Sequence, residues 1–143
     1  MNRNELKLRL KYLAIKTGWL CNRIPENFIN KIYIDLVAYS TSSSALHYRT
    51  ACRGKSNAMH INKLGIVEEK LNETILYYEI MGEFNPEFKE DFRELYIEAN
   101  ELISIITTSI NSSKSKTVKE TVLKKSRLIP GPIAIGINKA KRS

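Results

Sequence analysis

The sequence contains few of the residues that introduce disulfides, helix breaks or membrane anchors. It has two cysteines, four prolines and six glycines in 143 residues. Two cysteines without a framework spacing exclude a disulfide-rich secreted scaffold and are typical of a reducing compartment. No uncharged apolar run approaches the ~20 residues that span a bilayer, and the charged N-terminal stretch has no apolar core of a signal peptide. We therefore expect a soluble, cytoplasmic protein without a membrane partner.

Sequence motifs for catalysis and metal binding are also lacking. The letters GKS at 54–56 match the end of a phosphate-binding P-loop, but that motif requires a glycine where Arg49 stands and a strand before it. We instead expect Gly54 to end one helix and Ser56 to start the next. Neither His47 nor His60 has a glutamate three residues before it, and the cysteines and histidines lack a zinc spacing. The sequence therefore predicts no catalytic residue, cofactor or metal, and a hydrolase or metalloenzyme is the least favoured alternative.

The placement of charge is uneven. Residues 1–55 carry ten bases and three acids. Residues 56–111 carry four bases and eleven acids, and residues 112–143 carry nine bases and one acid. The first 111 residues are thus neutral, and the net charge of +8 lies in the last 32. A basic tail attracts polyanions, although a run of charges is equally typical of a solvated tail without a specific partner.

Apolar residues recur at helical spacing in four segments. The spacing predicts helices over about 4–23, 26–53, 56–81 and 86–110. The first helix carries two apolar stripes, one from Leu6 to Leu20 and one from Leu8 to Trp19, which is a wider face than one neighbouring helix needs. We expect Gly82 to end the third helix and the stretch 111–113 to stop the fourth.

Four amphipathic helices with short connections predict an all-α fold, an antiparallel up-down four-helix bundle over residues 1–113. Asn85 and Pro86 suit the N-cap and first position of its fourth helix. Residues 114–143 are predicted to form a basic C-terminal tail that is extended or partly disordered. Within it, 114–127 can form one short basic helix, while two prolines and two glycines exclude a helix further on.

A run of small hydroxylated side chains, STSSSA at 40–45, lies in the middle of the second helix. Serine and threonine hydroxyls bond back to the carbonyl four residues earlier, and small side chains let another helix come close. The run is either a contact surface for a ligand or subunit, or a site of tight packing within the bundle. We favour packing.

Basic side chains are the candidate nucleic-acid-binding residues, because they share helix faces or follow each other along the tail. Lys7 and Lys11 share a face of the first helix, and Arg49 and Arg53 share a face of the second. Such groups hold phosphates, or they pair with the acidic third and fourth helices within one chain or across subunits, which the neutral balance of residues 1–111 favours. The full candidate set is Lys7, Lys11, Arg49, Arg53, Lys55, Lys63, Lys124, Lys125, Arg127, Lys139, Lys141 and Arg142.

Residues 45–81, ALHYRTACRGKSNAMHINKLGIVEEKLNETILYYEIM, resemble the bacterial four-helix-bundle proteins encoded in intervening sequences of 23S ribosomal RNA genes. The stretch EANELISIITTSINSSK at 98–114 is similar to the final helix of that family. The resemblance covers about residues 4–114. The matching positions are Tyr48, Arg49, Ala51, Cys52, Arg53, Ser56, Ile61, Lys63, Leu64, Gly65, Ile66, Val67, Glu68, Glu69, Glu73, Thr74 and Glu79.

The resemblance implies an antiparallel four-helix bundle and a ring-shaped homo-oligomer, a pentamer in the relatives. A similar bundle is the accessory protein of diversity-generating retroelements, where it associates with a reverse transcriptase. The family implies no defined activity. This sequence departs from it at His47, where the family has asparagine, and in the basic tail.

Together, these patterns predict a non-enzymatic homo-oligomeric scaffold that binds nucleic acid through its basic surface and tail, with RNA favoured by the genomic setting of the family. The alternative is a protein–protein adaptor, for example an accessory subunit of a reverse transcriptase or another nucleic-acid enzyme. In the adaptor, the tail docks a protein partner and no nucleic acid is bound.

Overall fold

A computed structural model of the chain describes residues 1–128. It contains four helices, α1 (Arg3–Cys21), α2 (Phe28–Cys52), α3 (Asn57–Phe84) and α4 (Lys89–Leu128), with a short 3-10 turn over Pro86–Phe88 before α4. No strand occurs within residues 1–128. The predicted all-α bundle is therefore confirmed. The chain divides after Asn111 into two units, so that the first holds α1 to α3 with α4 up to Asn111, and the second holds the remainder of α4.

Contacts between the helices of the first unit show that neighbours run antiparallel. Arg3 at the start of α1 donates from Nη1 to the carbonyl oxygen of Cys52 at the end of α2, at 3.5 Å. Ser40 of α2 lies 2.7 Å, between hydroxyl oxygens, from Thr74 of α3. Thr107 of α4 donates to a carboxylate oxygen of Glu68 on α3 at 2.5 Å. The first and third contacts join an early residue of one helix to a late residue of the next, and the second joins the middles of α2 and α3, as an up-down bundle requires.

The core is built from one apolar stripe of each helix. The stripe predicted on α1 from Leu6 to Leu20 is buried in it, and each buried aliphatic side chain contributes about 1.5–3 kcal/mol to folding. Tyr78 is the largest fully buried side chain. Its hydroxyl lies 2.6 Å from Thr17 Oγ1 across the bundle, and Thr17 in turn donates to the carbonyl of Leu13. Burial raises the pKa of Tyr78, so this phenol remains a neutral hydrogen-bond donor.

The hydroxylated run on α2 packs inside the bundle. Ser40, Thr41, Ser43 and Ser44 are buried. Thr41 donates to the carbonyl of Val37 at 2.8 Å, and Ser44 donates to the carbonyl of Thr41 at 2.8 Å. Since Thr41 and Ser44 satisfy their donors within α2, their burial brings α2 and α3 together without a polar penalty. The packing interpretation is confirmed.

The connection between α2 and α3 is the predicted turn. Ser56 caps α3 by accepting a hydrogen bond from the backbone N–H of Met59 at 3.1 Å. Gly54 lies between the helices, and a Cβ atom on it would approach the carbonyl oxygen of Ala51 to 3.2 Å. Close backbone approach therefore explains the glycine, and no buried strand precedes it as a P-loop would need.

One predicted helix boundary is wrong at the other end of α3. Gly82 does not end the helix, because α3 continues to Phe84 and Gly82 packs inside it, where an added Cβ would lie 3.7 Å from Cβ of Phe92. A glycine in a helix costs only about 1 kcal/mol, which this packing offsets. Asn85 and Pro86 occupy the predicted N-cap and first positions of the 3-10 turn that leads into α4, but Asn85 makes no side-chain cap hydrogen bond.

The side chain of Asn85 instead pairs with Asn30, near the start of α2. Each amide donates to the other's oxygen, at 2.8 and 2.9 Å. The remaining amide hydrogens are donated to the carbonyls of Pro25 and Met81 at 2.8 Å. Both residues are buried, so this pair fixes the α1–α2 connection against the end of α3.

The fourth helix does not stop at 111–113 as predicted but continues to Leu128. Serine, asparagine and threonine cost only about 0.5 kcal/mol each in a helix. Several hydroxyls bond back within it, among them Ser109 to the carbonyl of Ile105 and Thr121 to that of Thr117, each at 3.0 Å. The short basic helix predicted over 114–127 is present as this continuation, while residues 129–143 of the predicted extended tail lie outside the described residues.

Replacing Asn30 or Asn85 by alanine is expected to destabilise the protein by about 1–3 kcal/mol, because each change leaves the partner amide buried with unpaired groups. Urea unfolding followed by circular dichroism measures the effect. The double variant should cost less than the sum of the single variants. Asn100→Ala on the exposed face of α4 is the matched control, and an equal loss there would contradict the role of the pair.

Candidate nucleic-acid interface

Six of the candidate bases belong to one end of the first unit. The contact between Arg3 and Cys52 places the start of α1 beside the end of α2. Lys7 lies about one helical turn from Arg3, and Arg49 about one turn from Arg53. Lys55 stands in the connection from α2 to α3, Lys63 lies in the second turn of α3, and Lys11 is one further turn along α1. We call this group, with Arg3, the basic end.

The connection that carries Arg53 and Lys55 is held in a fixed conformation. The carbonyl oxygen of Ala51 accepts from the backbone N–H of Gly54 at 3.1 Å and lies 2.8 Å from Nδ1 of His60. His60 therefore ties the first turn of α3 to the last turn of α2. Because the backbone between them is fixed, the two cations project from a rigid support, which lowers the entropy lost on binding an anion.

Ion pairing leaves the basic end available. The five ion pairs among residues 1–128 use Arg9, Arg23, Lys70 and Lys89 as cations. None of them uses a candidate base, and Lys11 makes only a contact with the ring of Tyr12, at 5.4 Å from its centroid. For pairing within this chain, the prediction that the candidate bases pair with α3 and α4 is therefore wrong in the described residues. Pairing across subunits stays a prediction.

Arg9, in contrast to the candidate bases, forms ion pairs that join two helices. Its Nε and Nη2 donate to the two carboxylate oxygens of Glu98 at 2.9 and 2.6 Å, and Nη2 also bonds to Glu101. The hydrogen bond to Glu98 is the largest influence that raises the pKa of Arg9. This triad joins α1 to α4, whereas Lys7 and Lys11, two residues to either side of Arg9, have no ion pair within residues 1–128.

Charge in the first unit is separated along the bundle axis. The half that contains the basic end, residues 1–11, 41–70 and 100–111, holds nine bases and four acids. The other half, residues 12–40 and 71–99, holds five bases and ten acids. Acids there include exposed side chains around the α3–α4 connection, such as Glu83, Glu87 and Glu90. A polyanion is therefore attracted to one end and repelled by the other.

The second unit carries the remaining described candidates. Lys124, Lys125 and Arg127 are exposed on the helix over 112–128. Lys139, Lys141 and Arg142 lie outside the described residues. The residues predicted from the sequence did not include Arg3, although it lies one helical turn from Lys7 and therefore on the same face of α1. Nor did they include three bases within the tail's own charge run, which are Lys114, Lys116 and Lys119.

Two apolar stripes stand on the surface of the first unit. The second stripe predicted on α1 is largely exposed, with Trp19 at 60 %. An exposed stripe on α2 includes Phe28 at 77 %. Apolar surface of this extent is uncommon on a monomer and is typical of an interaction surface. The exposed members are Leu8, Tyr12 and Trp19 on α1, and Phe28, Ile32, Leu36, Tyr39 and Leu46 on α2.

Metal-ligating clusters and membrane-spanning helices are both lacking in the part of the chain that the structure describes. No group of three or more histidine, cysteine, aspartate or glutamate side chains is placed to hold a metal ion within residues 1–128. No helix in the same range is both long and apolar enough to cross a bilayer. Burial raises the pKa of the Cys21 thiol to about 11, so Cys21 remains protonated at neutral pH.

Comparison with known proteins identifies the fold. No protein-family model matches the chain, and no curated protein matches it. Among solved structures, the chain is similar to a crystal structure of a protein of unknown function from the S23 ribosomal protein family of Bacteroides thetaiotaomicron VPI-5482. The TM-score is 0.69 at 21% sequence identity, covering 78% of this chain and 99% of that one. At this identity the similarity shows a shared fold.

The free energy of unfolding should fall more when a paired base is replaced than when an unpaired base is replaced. Arg49→Ala and Arg53→Ala are expected to change the free energy of unfolding by no more than about 0.5 kcal/mol, because neither guanidinium has an ion-pair partner within residues 1–128. Arg9→Ala should cost about 1–2 kcal/mol, since it leaves Glu98 and Glu101 facing each other. Chemical denaturation at low and high salt measures both, and a large loss for Arg49→Ala would show a structural role for that residue.

Proposed function

We propose that the protein is a non-enzymatic, homo-oligomeric scaffold that binds nucleic acid. The observation that carries this proposal is the basic end, where seven bases without ion-pair partners within residues 1–128 lie in a half of the bundle that holds nine bases and only four acids. A cation that stabilises the fold is normally paired or forms a hydrogen-bonded network. Repulsion between unpaired cations costs stability, and a phosphate ligand removes that cost.

The preference for a nucleic acid over a small anion follows from the distribution of the bases. Lys7, Arg49, Arg53 and Lys55 extend over three elements rather than converging on one pocket. Phosphates of a nucleic acid repeat along a strand and are bound by such distributed bases. The RNA preference predicted above rests on the genomic setting of the resembled family alone.

Homo-oligomerisation is the second part of the proposal. Every copy carries an α1 stripe and an α2 stripe, and the two consist of different residues on different helices. If the α1 stripe of one copy packs on the α2 stripe of the next, both are buried by one repeated contact. Such a heterologous contact forms a ring when the rotation closes. The number five comes from the resembled family.

Assembly makes weak sites effective. A ring presents one basic end per subunit, so that the second and later contacts with the same nucleic acid are intramolecular and raise the overall affinity without any new contact. The modest charge of each basic end is therefore sufficient for tight binding by the assembly.

The adaptor is the second candidate function, and an aromatic surface between α2 and α3 favours it. Tyr33 packs against both Tyr77 and Phe84, with ring centroids 6.3 and 6.1 Å apart. Phe84 is exposed, and Tyr39, further along α2, has the Lys70 ammonium 5.3 Å from the centroid of its ring. Aromatic side chains of this kind are enriched in protein interfaces. A reverse transcriptase or another nucleic-acid enzyme remains the partner class to test.

Nucleic-acid binding is tested with the full-length protein by fluorescence anisotropy over a salt series, with a structured RNA and a duplex DNA as probes. The variant Arg49→Gln/Arg53→Gln/Lys55→Gln should weaken binding about ten-fold or more. It should also lower the salt slope by about two, because each lost phosphate contact removes 0.7 to 0.9 from it.

The matched control for this measurement is Lys16→Gln/Lys31→Gln/Arg93→Gln. It removes the same charge from exposed positions in the acidic half and should have a much smaller effect. If the two triple variants weaken binding equally, the basic end contributes to affinity only through the net charge of the protein. No binding of either probe at low salt would leave the adaptor as the better function.

The heterologous contact predicts a specific pattern of assembly. Trp19→Glu and Phe28→Glu should each be monomeric alone, since each disrupts one side of the only contact. An equimolar mixture should form a one-to-one dimer, because one copy supplies an intact α1 stripe and the other an intact α2 stripe. Light scattering after size exclusion measures the masses, and Ile97→Glu, exposed on α4, is the control. Variants that each remain dimeric alone would show like-to-like contacts instead.

A further inference from the structure

The helix over 112–128 has the geometry of an element that enters a groove. Its 17 residues extend about 25 Å at 1.5 Å per residue. All of its side chains are exposed except that of Ser113, which is half-buried. It carries six bases and one acid. Its four apolar side chains, Val118, Val122, Leu123 and Leu128, are all exposed, so this helix buries no apolar face in a core.

The bases surround this helix instead of lining one face. At 100° per residue, no arc wider than about a third of the circumference lacks a base. A flat phosphate surface would use only one side of such a helix. A groove with a phosphate backbone on each wall uses several sides at once. The six bases are Lys114, Lys116, Lys119, Lys124, Lys125 and Arg127.

The one arc without bases is apolar and lies opposite the acid. Val118 and Val122 are one turn apart on this arc, with 61% and 62% of their surface exposed. Glu120 is about 160° away from each of them around the helix. The arrangement therefore directs two small apolar side chains to one side and the only carboxylate to the far side. Lys114, Lys119 and Lys125 flank the valines, while the other three bases lie on the side of Glu120.

These features distinguish between kinds of nucleic acid. Single strands are held largely by stacking of bases on aromatic side chains, and residues 112–143 contain no phenylalanine, tyrosine or tryptophan. The major groove of A-form RNA is deep and too narrow for side chains to read. The major groove of B-form DNA is about 12 Å wide and admits an α-helix, and its thymine methyl groups accept apolar contacts.

We propose that the helix over 112–128 binds in the major groove of duplex DNA, with Val118 and Val122 toward the base edges, the flanking lysines on the two phosphate backbones, and Glu120 toward solvent. This inference rests on the proposed function and narrows its ligand to B-form DNA at this element. It makes the second unit the part of the chain that selects the kind of nucleic acid.

The test uses a matched pair of variants in the full-length protein. Val118→Glu and Leu123→Glu change the net charge equally, and their positions differ by about 140° around the helix. Binding is measured by anisotropy with a duplex DNA, a duplex RNA and a single-stranded DNA of the same length. Val118→Glu should weaken duplex DNA binding about ten-fold more than Leu123→Glu does, because it places a carboxylate against base edges and phosphates.

A proline at the same control position tests the helix itself. Leu123→Pro keeps every charge but breaks the helix, and it should weaken duplex DNA binding strongly compared with Leu123→Ala. Equal effects of Val118→Glu and Leu123→Glu would overturn the groove model, as would single-stranded DNA or duplex RNA that binds as tightly as duplex DNA.

The failure of this inference can be distinguished from failure of the proposed function. If the unmodified protein binds none of the three probes at low salt, both fail. If the basic-end variant Arg49→Gln/Arg53→Gln/Lys55→Gln loses binding while the two glutamate variants behave alike, the proposed function stands and the groove model alone is wrong.

Discussion

The structure depends on the burial of one apolar stripe from each of four helices. This burial brings α1, α2, α3 and the first part of α4 into one core, and it decides which side of every helix faces water. The core takes only one apolar stripe from each helix. Because α1 and α2 each carry a second apolar stripe, that second stripe stays exposed on the surface. The same constraint that stabilises the subunit therefore produces the surface on which we base assembly.

Polar groups inside this core are arranged in closed pairs. The amides of Asn30 and Asn85 satisfy one another and two backbone carbonyls, and Tyr78 donates to Thr17 from the middle of the bundle. Every donor of these two pairs has a partner, whereas Nδ1 of His47 is a buried atom without a hydrogen-bond partner within residues 1–128. What the first unit offers to a partner lies on its surface, in charge and in exposed apolar side chains.

The sequence was sufficient for the fold but not for the roles of individual charges. Helical spacing predicted the four helices and the core stripe of α1, because period and burial are both local properties. It misplaced the ends at Gly82 and at 111–113, since a glycine or a serine is tolerated in a helix when tertiary packing or a back-bonded hydroxyl offsets its small cost. It could not tell which bases pair within the chain, because net charge records how many partners exist and not which ones lie within reach. The pairing of Arg9 with Glu98 and Glu101 depends on the contact between α1 and α4, which only the folded chain supplies.

The separation of charge along the bundle has a consequence for the approach to a partner. Opposite excesses of five charges, with centres about 20 Å apart, correspond to an electric dipole moment of about 500 debye. In the field of a polyanion this moment exerts a torque that turns the molecule before contact, so that encounters occur with one end leading. Orientation of this kind raises the fraction of productive collisions, and it disappears when the Debye length falls well below the length of the bundle.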